Sequence, residues 1–402
     1  MSQPDSGRER RKEIIKKIEE KRGSKVIAYV TSDRPGLSAQ IAGDVVSLLH
    51  EHILALDDQD RSKLDLFLYS RGGQSDVPWT IVSMFREYSK EGSFSILIPY
   101  RAHSAATVIA LGADEIVMTK KAELGPIDIT IQRGPYNPTE KDSSQRLPIS
   151  VEDVTGYFRL LEKVGCERPD EKMKGFELLT NHVHPLALGY VSRLLEETKL
   201  VALRLLSTRA QPFSEEKNHE IVKRISEVYS HNHAISRTEA LKYIGLEQVK
   251  LAEDVKIADE MWELYEEYKE LFSLEDPFKP EEQLISQGRE EGEWHDLKLA
   301  CVESFNRFDL CQQSIRVRRL RQVPPQVTLN LSNVNFPAIN IENLPSELNQ
   351  DQLNAILSQA VRAIVQQVLN DAVQIATQEL LKALPQTGFE RYILNAGWRR
   401  EE

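Results

Sequence analysis

The stretch from Leu64 to Asp128 constrains this chain more than any other, because its apolar spacing changes from strand to helix and back, with a turn at each change. Leu64-Asp65-Leu66-Phe67-Leu68-Tyr69 runs into Ser70-Arg71-Gly72-Gly73, and an amphipathic segment follows from Trp79 to Tyr88. Phe94 to Tyr100 reads as a second strand, Arg101 to Thr107 as a turn entering a helix, and the apolar run to Asp114 as that helix leading to a third strand. Two such units in succession make a right-handed βαβ layer on a parallel sheet. Loops at the carboxyl ends of the strands of such a sheet carry the ligand site. Here one of these loops presents two glycines and the next presents Ser104 at a helix start.

That pairing has a chemical meaning. Glycines let backbone N–H groups approach a substrate carbonyl closely, and a helix N-terminus adds partial positive charge. Both stabilise an oxyanion. Ser104, flanked by Ala102, Ala105 and Ala106, has an uncrowded hydroxyl able to attack a carbonyl. The same residues also read as an ordinary βα turn followed by a serine N-cap, and spacing alone leaves both readings open.

Three blocks narrow the choice: Tyr69-Ser70-Arg71-Gly72-Gly73, the segment Ile98 to Met118, and Glu123-Leu124-Gly125-Pro126-Ile127-Asp128. In order and spacing they resemble the serine dehydrogenase proteinase family, part of the wider group of Clp proteases and signal-peptide peptidases with a crotonase-like fold. The resemblance covers residues 25–250. It implies an α/β, Clp- or crotonase-like fold of repeated ββα units, a serine endopeptidase activity without cofactor, and protein or peptide substrates. By position Ser104 matches the nucleophile, and the Gly73 and Ala105 N–H groups match the oxyanion hole. Gly72 and His103 are expected to line the substrate. His103, adjacent in sequence to the serine, is badly placed to reach its hydroxyl.

The general base is not settled by the sequence. A serine needs a partner that accepts a proton near neutral pH, either His or a Lys with a lowered pKa. Clp-type relatives carry a histidine about two dozen residues after the serine, where this chain has Gly125-Pro126-Ile127-Asp128. Signal-peptide-peptidase relatives use a lysine further on, and Lys141, Lys163, Lys172 and Lys174 stand at or near that distance. His184, in His182-Val183-His184-Pro185-Leu186-Ala187-Leu188-Gly189, resembles a family string and is the preferred base. Its alternative role is that of an N-terminal helix residue ahead of Pro185. His231 is a further candidate as base or orienter, or part of a polar turn. The pairs His182/His184 and His231/His233 raise zinc, but no cysteine or carboxylate stands at ligand spacing beside them, so no metal is expected.

Around this centre the reading is coarser. Residues 8–22 form a charged helix with a narrow stripe, Ile14, Ile15 and Ile18, expected as a solvated arm packing loosely. A strand is expected from Lys25 to Thr31 and a helix from Gln40 to Ala55. Residues 132–149 read as an exposed loop over the active face. Ser150 reads as the cap of a helix to Val164, and another helix is expected over Leu186 to Leu206. The expected organisation is a helical arm at 1–24, the catalytic domain at 25–250, a helical and basic extension at 251–323, and a strand plus long amphipathic helix at 324–402.

Ile315 to Arg321 carries four arginines, expected at a strand edge or an acidic contact. Residues 346–384 give the strongest helical pattern of the tail, Gln-rich on its polar side, and suggest self-association or a partner protein.

The net charge of -11 argues against nucleic acid as a partner. Three scattered cysteines suit a reducing, cytoplasmic setting, and no apolar run approaches the roughly 20 residues a membrane span needs. Two classes of function follow: a serine peptidase working as a homo-oligomer, or a catalytically reduced scaffold of the same fold.

Overall fold

The apolar runs become the centre of a mixed sheet. The computed structural model describes residues 7–90, 92–127, 130–131, 136–139, 146–226, 233–322 and 349–401. Strands Lys25–Thr31, Leu64–Tyr69, Phe94–Ile98, Glu115–Met118 and Val249–Leu251 lie side by side and parallel, in that order. Beyond Lys25–Thr31 the sheet continues with Glu291–Ser304, which pairs antiparallel so that Tyr29 faces Val302, then Arg307–Arg321 and Gln386–Glu401. The chain forms two units: residues 1–279, 295–314 and 395–402 make the first, and residues 280–294 and 315–394 the second.

In the first unit the strands are buried on both faces, as parallel sheets require. Side chains alternate between two cores. Ile27, Tyr29, Leu66, Leu68, Ile96 and Ile98 face a cluster with the helices Val45–Leu54, Val77–Tyr88 and Ala105–Leu111. Val26, Ala28, Val30, Phe67, Tyr69 and Leu97 face a second cluster built from Arg8–Arg22 and Ala258–Phe272. The amino-terminal helix is therefore not a loose arm. Ile14, Ile15 and Ile18 are fully buried, and Arg11 Nε donates to Glu303 Oε2 at 2.7 Å with both side chains out of solvent. Arg22 grips the buried Asp65 through Nε and Nη2 at 2.8 and 3.2 Å. Partners this far away in sequence turn a weakly apolar helix into a core element.

The helix expected from Gln40 is shorter, Val45–Leu54. The residues before it serve the neighbouring glycine loop instead: Ile41 N–H donates to the Gly72 carbonyl at 2.8 Å, and Gln74 N–H to the Ile41 carbonyl at 2.9 Å. Val151–Lys163 forms as expected, with the Ser150 hydroxyl accepting from Asp153 N–H at 2.9 Å. Pro185–Ser207 forms as well, beginning at a proline suited to the first helical position.

The second unit holds the helix Pro280–Ser286, the far ends of the long strands, and the 34-residue helix Gln350–Ala383. The arginines of Arg307–Arg321 meet acids on the adjacent strand and just before it: Arg316 pairs with Glu293 at 2.6 Å, Arg318 with Glu291 at 3.4 Å and Arg321 with Glu290 at 2.7 Å. Asn349 caps the long helix by accepting from Gln352 N–H at 2.9 Å. The chain does not end with that helix but continues into the Gln386–Glu401 strand. The strand expected around Val327 to Leu331 lies outside the described residues. Among the described residues no helix is long and apolar enough to cross a membrane.

Candidate active site

Leu64–Tyr69 delivers the glycine loop and Phe94–Ile98 delivers the serine, as adjacent parallel strands must. Ser70 and Ala102 bridge the two loops, with His103 N–H donating to the Ser70 carbonyl at 3.0 Å. The buried Thr31 hydroxyl donates to Ser70 Oγ at 2.8 Å, and Ser70 Oγ accepts from Gly72 N–H at 3.0 Å. The glycines are required by contact. A Cβ on Gly72, where φ is +102°, would lie 2.7 Å from Ser104 Cβ and 3.1 Å from Ala105 N; one on Gly73 would lie 2.1 Å from the Ile41 carbonyl oxygen.

Ser104 itself has φ 51° and ψ -119°, a conformation that an L residue rarely adopts. It precedes Ala105–Leu111, but its hydroxyl makes no cap bond to that helix. A serine in a strained turn whose hydroxyl makes no hydrogen bond among the described residues is arranged for something other than capping. Among the described residues no backbone carbonyl engages the Gly73 N–H, and the Ala105 N–H is one of the unpaired donors of a helix N-terminus. The two free donors, the free hydroxyl and the positive end of the helix come together at one loop pair. Thr107 locks the helix to the following loop: its Oγ1 lies 2.7 and 2.8 Å from the carbonyls of Ala102 and Gly125.

A charged relay runs beside the serine. Asp33 accepts from Tyr69 Oη at 2.7 Å, Arg71 Nε at 2.9 Å and Arg101 Nη1 at 2.8 Å. Arg101 Nε reaches Glu123 at 3.1 Å, and His103 Nε2 lies 3.2 Å from the same oxygen. Burial opposes ionisation of Asp33 and Glu123. For Asp33 the Tyr69 and arginine bonds outweigh it, for Glu123 the contacts with His103 and Arg101, so both carboxyls sit below their ordinary range. His103 Nε2 approaches Glu123 without forming a hydrogen bond among the described residues, and Gly125, whose Cβ would lie 2.8 Å from the ring, makes room for it. None of Ile41, Ser70, Thr107, Asp33 or Glu123 was given a role by the sequence, although Ser70, Thr107 and Glu123 lie within the three blocks.

The candidate bases are placed differently. His184 is exposed, accepts Leu186 N–H on Nδ1 at 3.2 Å and stacks on Tyr136 with ring centroids 4.9 Å apart. Lys163 and Lys174 stand exposed on helices, while Lys172 pairs with Glu162 at 2.7 Å. His233 pairs with Glu239 at 2.9 Å. Lys141 and His231 lie outside the described residues.

Elsewhere His52 links Ser304 and Asp309, with Nδ1 2.8 Å from the hydroxyl and Nε2 3.0 Å from the carboxylate. This serine–histidine–aspartate set is closed to substrate, since His52 is 0% and Ser304 2% exposed.

Residues 5–159 match the family of ClpP-like, SDH-type serine proteinases. Two uncharacterized proteins of Methanocaldococcus jannaschii are similar in sequence. MJ1495 is 27% identical over 46% of this chain and 70% of its own, and MJ0137 is 23% identical over 65% and 79%. Among solved structures, a serine-to-alanine mutant of the 1510-N membrane-bound stomatin-specific protease aligns with 57% of this chain and 81% of its own, at 18% identity and a TM-score of 0.29.

Proposed function

We propose that this chain, whose residues 5–159 match the family of ClpP-like, SDH-type serine proteinases, cleaves peptide bonds in protein substrates through an acyl-enzyme on Ser104. The Ser104 hydroxyl attacks the scissile carbonyl, and the oxyanion forms between the Gly73 and Ala105 N–H groups at the positive end of Ala105–Leu111. The base takes the serine proton, passes it to the leaving amine and then activates the water that frees the acyl group. Gly72 and His103 border the bound peptide. The observation that carries this reading is Ser104's positive φ beside a glycine contact too close for any Cβ.

Lys141 is the base in this proposal. What supports it is the placement of the other candidates: His184 Nδ1 accepts the Leu186 N–H as a helix cap, and Lys163 and Lys174 stand exposed on helices. His231 is reserved as an orienter. The test is hydrolysis of casein by the purified full chain and its variants. Ser104→Ala and Lys141→Ala should abolish cleavage, while His184→Ala, Lys163→Ala and Lys174→Ala keep at least a third of it. Full activity in Lys141→Ala with loss in His184→Ala would return the base to the histidine.

A scaffold reading is favoured by one feature, the Gln350–Ala383 helix, whose Val361, Val365, Leu369 and Ile375 are 42–59% exposed. In the peptidase reading this helix joins copies of the chain or a partner protein. The three scattered cysteines of the sequence accord with the cytoplasm as the proposed compartment.

A further inference from the structure

The reactive serine uses the carboxyl ends of the strands; a second cavity opens at their amino ends. It measures about 500 Å³ and is bordered by Asp114 and Gln248, which precede two adjacent strands, and by the turn Arg209 to Phe213 after the long helix Pro185–Ser207. Arg209 is 8% exposed, and its Nε and Nη1 are buried without a hydrogen-bond partner. The carboxylates beside it are already engaged. Asp114 accepts from Arg86 on both oxygens, from Ala210 N–H at 2.9 Å and from Phe94 N–H at 3.2 Å, while Glu247 is bound by Lys217.

Gln248, 3% exposed, has neither amide atom paired. Among the described residues, a buried guanidinium with two nitrogens lacking a hydrogen bond and a buried amide with no partner, both bordering one cavity, are what a missing ligand leaves behind.

The chemistry of the wall selects the ligand. Arg209 asks for an anion, and Gln248 for a group that both donates and accepts. The Phe213 ring, its centroid 4.3 Å from Arg209 Cζ and 4.6 Å from Lys217 Nζ, gives an apolar side. Asp114, Glu115 and Glu247 also border the space and outnumber its cations, Arg209 and Lys250, which penalises a dianion such as phosphate more than a monoanionic, planar carboxylate. We propose that this cavity binds a small carboxylate bearing an adjacent amide, the group found at the carboxyl end of a peptide, with the carboxylate on Arg209, the amide on Gln248 and the side chain over Phe213. The site is separate from Ser104 and does not depend on the reading of that residue.

The test is thermal unfolding of the full chain with N-acetyl-L-leucine, N-acetyl-L-leucinamide or inorganic phosphate, alongside calorimetric titration. The acid should raise Tm in a concentration-dependent way and bind at least tenfold more tightly than the amide. Arg209→Met and Gln248→Leu should each lose that shift, and Arg209→Met, relieved of an unpaired charge, should unfold no lower than the parent without ligand. The proposal is overturned if the acid gives no shift in the folded parent, if the neutral amide matches it, if both variants keep it, or if phosphate binds more tightly than the acid.

Discussion

A side chain's backbone conformation decides most of the chemistry proposed for Ser104. Its positive φ stores strain of about 1–3 kcal/mol, as non-glycine residues in sparsely populated backbone regions do at functional sites. Ser104→Gly should therefore stabilise the protein by about 1 kcal/mol in urea unfolding while abolishing turnover, and a loss of stability would contradict the strain account. Gly73→Ala places a Cβ 2.1 Å from the Ile41 carbonyl and displaces the oxyanion donor. Its kcat should fall about 100-fold or more, read from casein hydrolysis with the fold checked by circular dichroism. These positions were legible in the sequence because glycine and small residues encode main-chain geometry locally. The Arg209–Gln248 pair was not, since a missing partner shows only when residues 39 positions apart are brought to one cavity. His184 was legible as a cap through Pro185, yet as a base only through resemblance.

At the scale of elements, long-range polar pairs decide what local pattern leaves open. The amino-terminal helix has three apolar residues and reads as solvated, but Glu303 receives Arg11 from 292 positions away and fixes it in the core. Glu303→Ala leaves that guanidinium without its carboxylate partner and should cost about 3–5 kcal/mol, measured by urea unfolding. The hairpin of Glu291–Ser304 and Arg307–Arg321 was likewise seen only as a run of arginines, because the acids that neutralise it lie on and beside its other strand.

The same hairpin governs acid stability through His52 and Asp309. Burial lowers the His52 pKa more than Asp309 raises it, so the folded chain binds that proton less readily than the unfolded one. Its contribution is whole above the ordinary histidine value of 6.5 and is lost as pH falls below it. Burial also works against ionised Asp309, but the bonds from His52 and Arg307 prevail and hold it at about 2, so a further loss follows as pH drops from 3.8 toward 2. Urea midpoints measured against pH should show both declines, and His52→Gln should remove the upper one.

For the whole molecule, the parallel neighbours Leu64–Tyr69, Phe94–Ile98 and Glu115–Met118 were readable, since strand, turn and helix alternate along that stretch. The sheet's other half was not, because Gln386–Glu401 is mostly exposed, shows no clean alternation, and joins by backbone pairing. The exposed helix Gln350–Ala383 predicts assembly: Val361→Asp with Val365→Asp should lower the mass seen by light scattering to that of one chain, with unfolding of the remainder unchanged. An unaltered mass would leave that helix out of the contact. The central claim is tested most directly by treating the full chain with a fluorophosphonate and locating the adduct by peptide mass spectrometry, with Ser104→Ala as control. The account predicts a single adduct on Ser104 that disappears in the control; labelling of another serine with Ser104 untouched, in protein that hydrolyses casein, would contradict it.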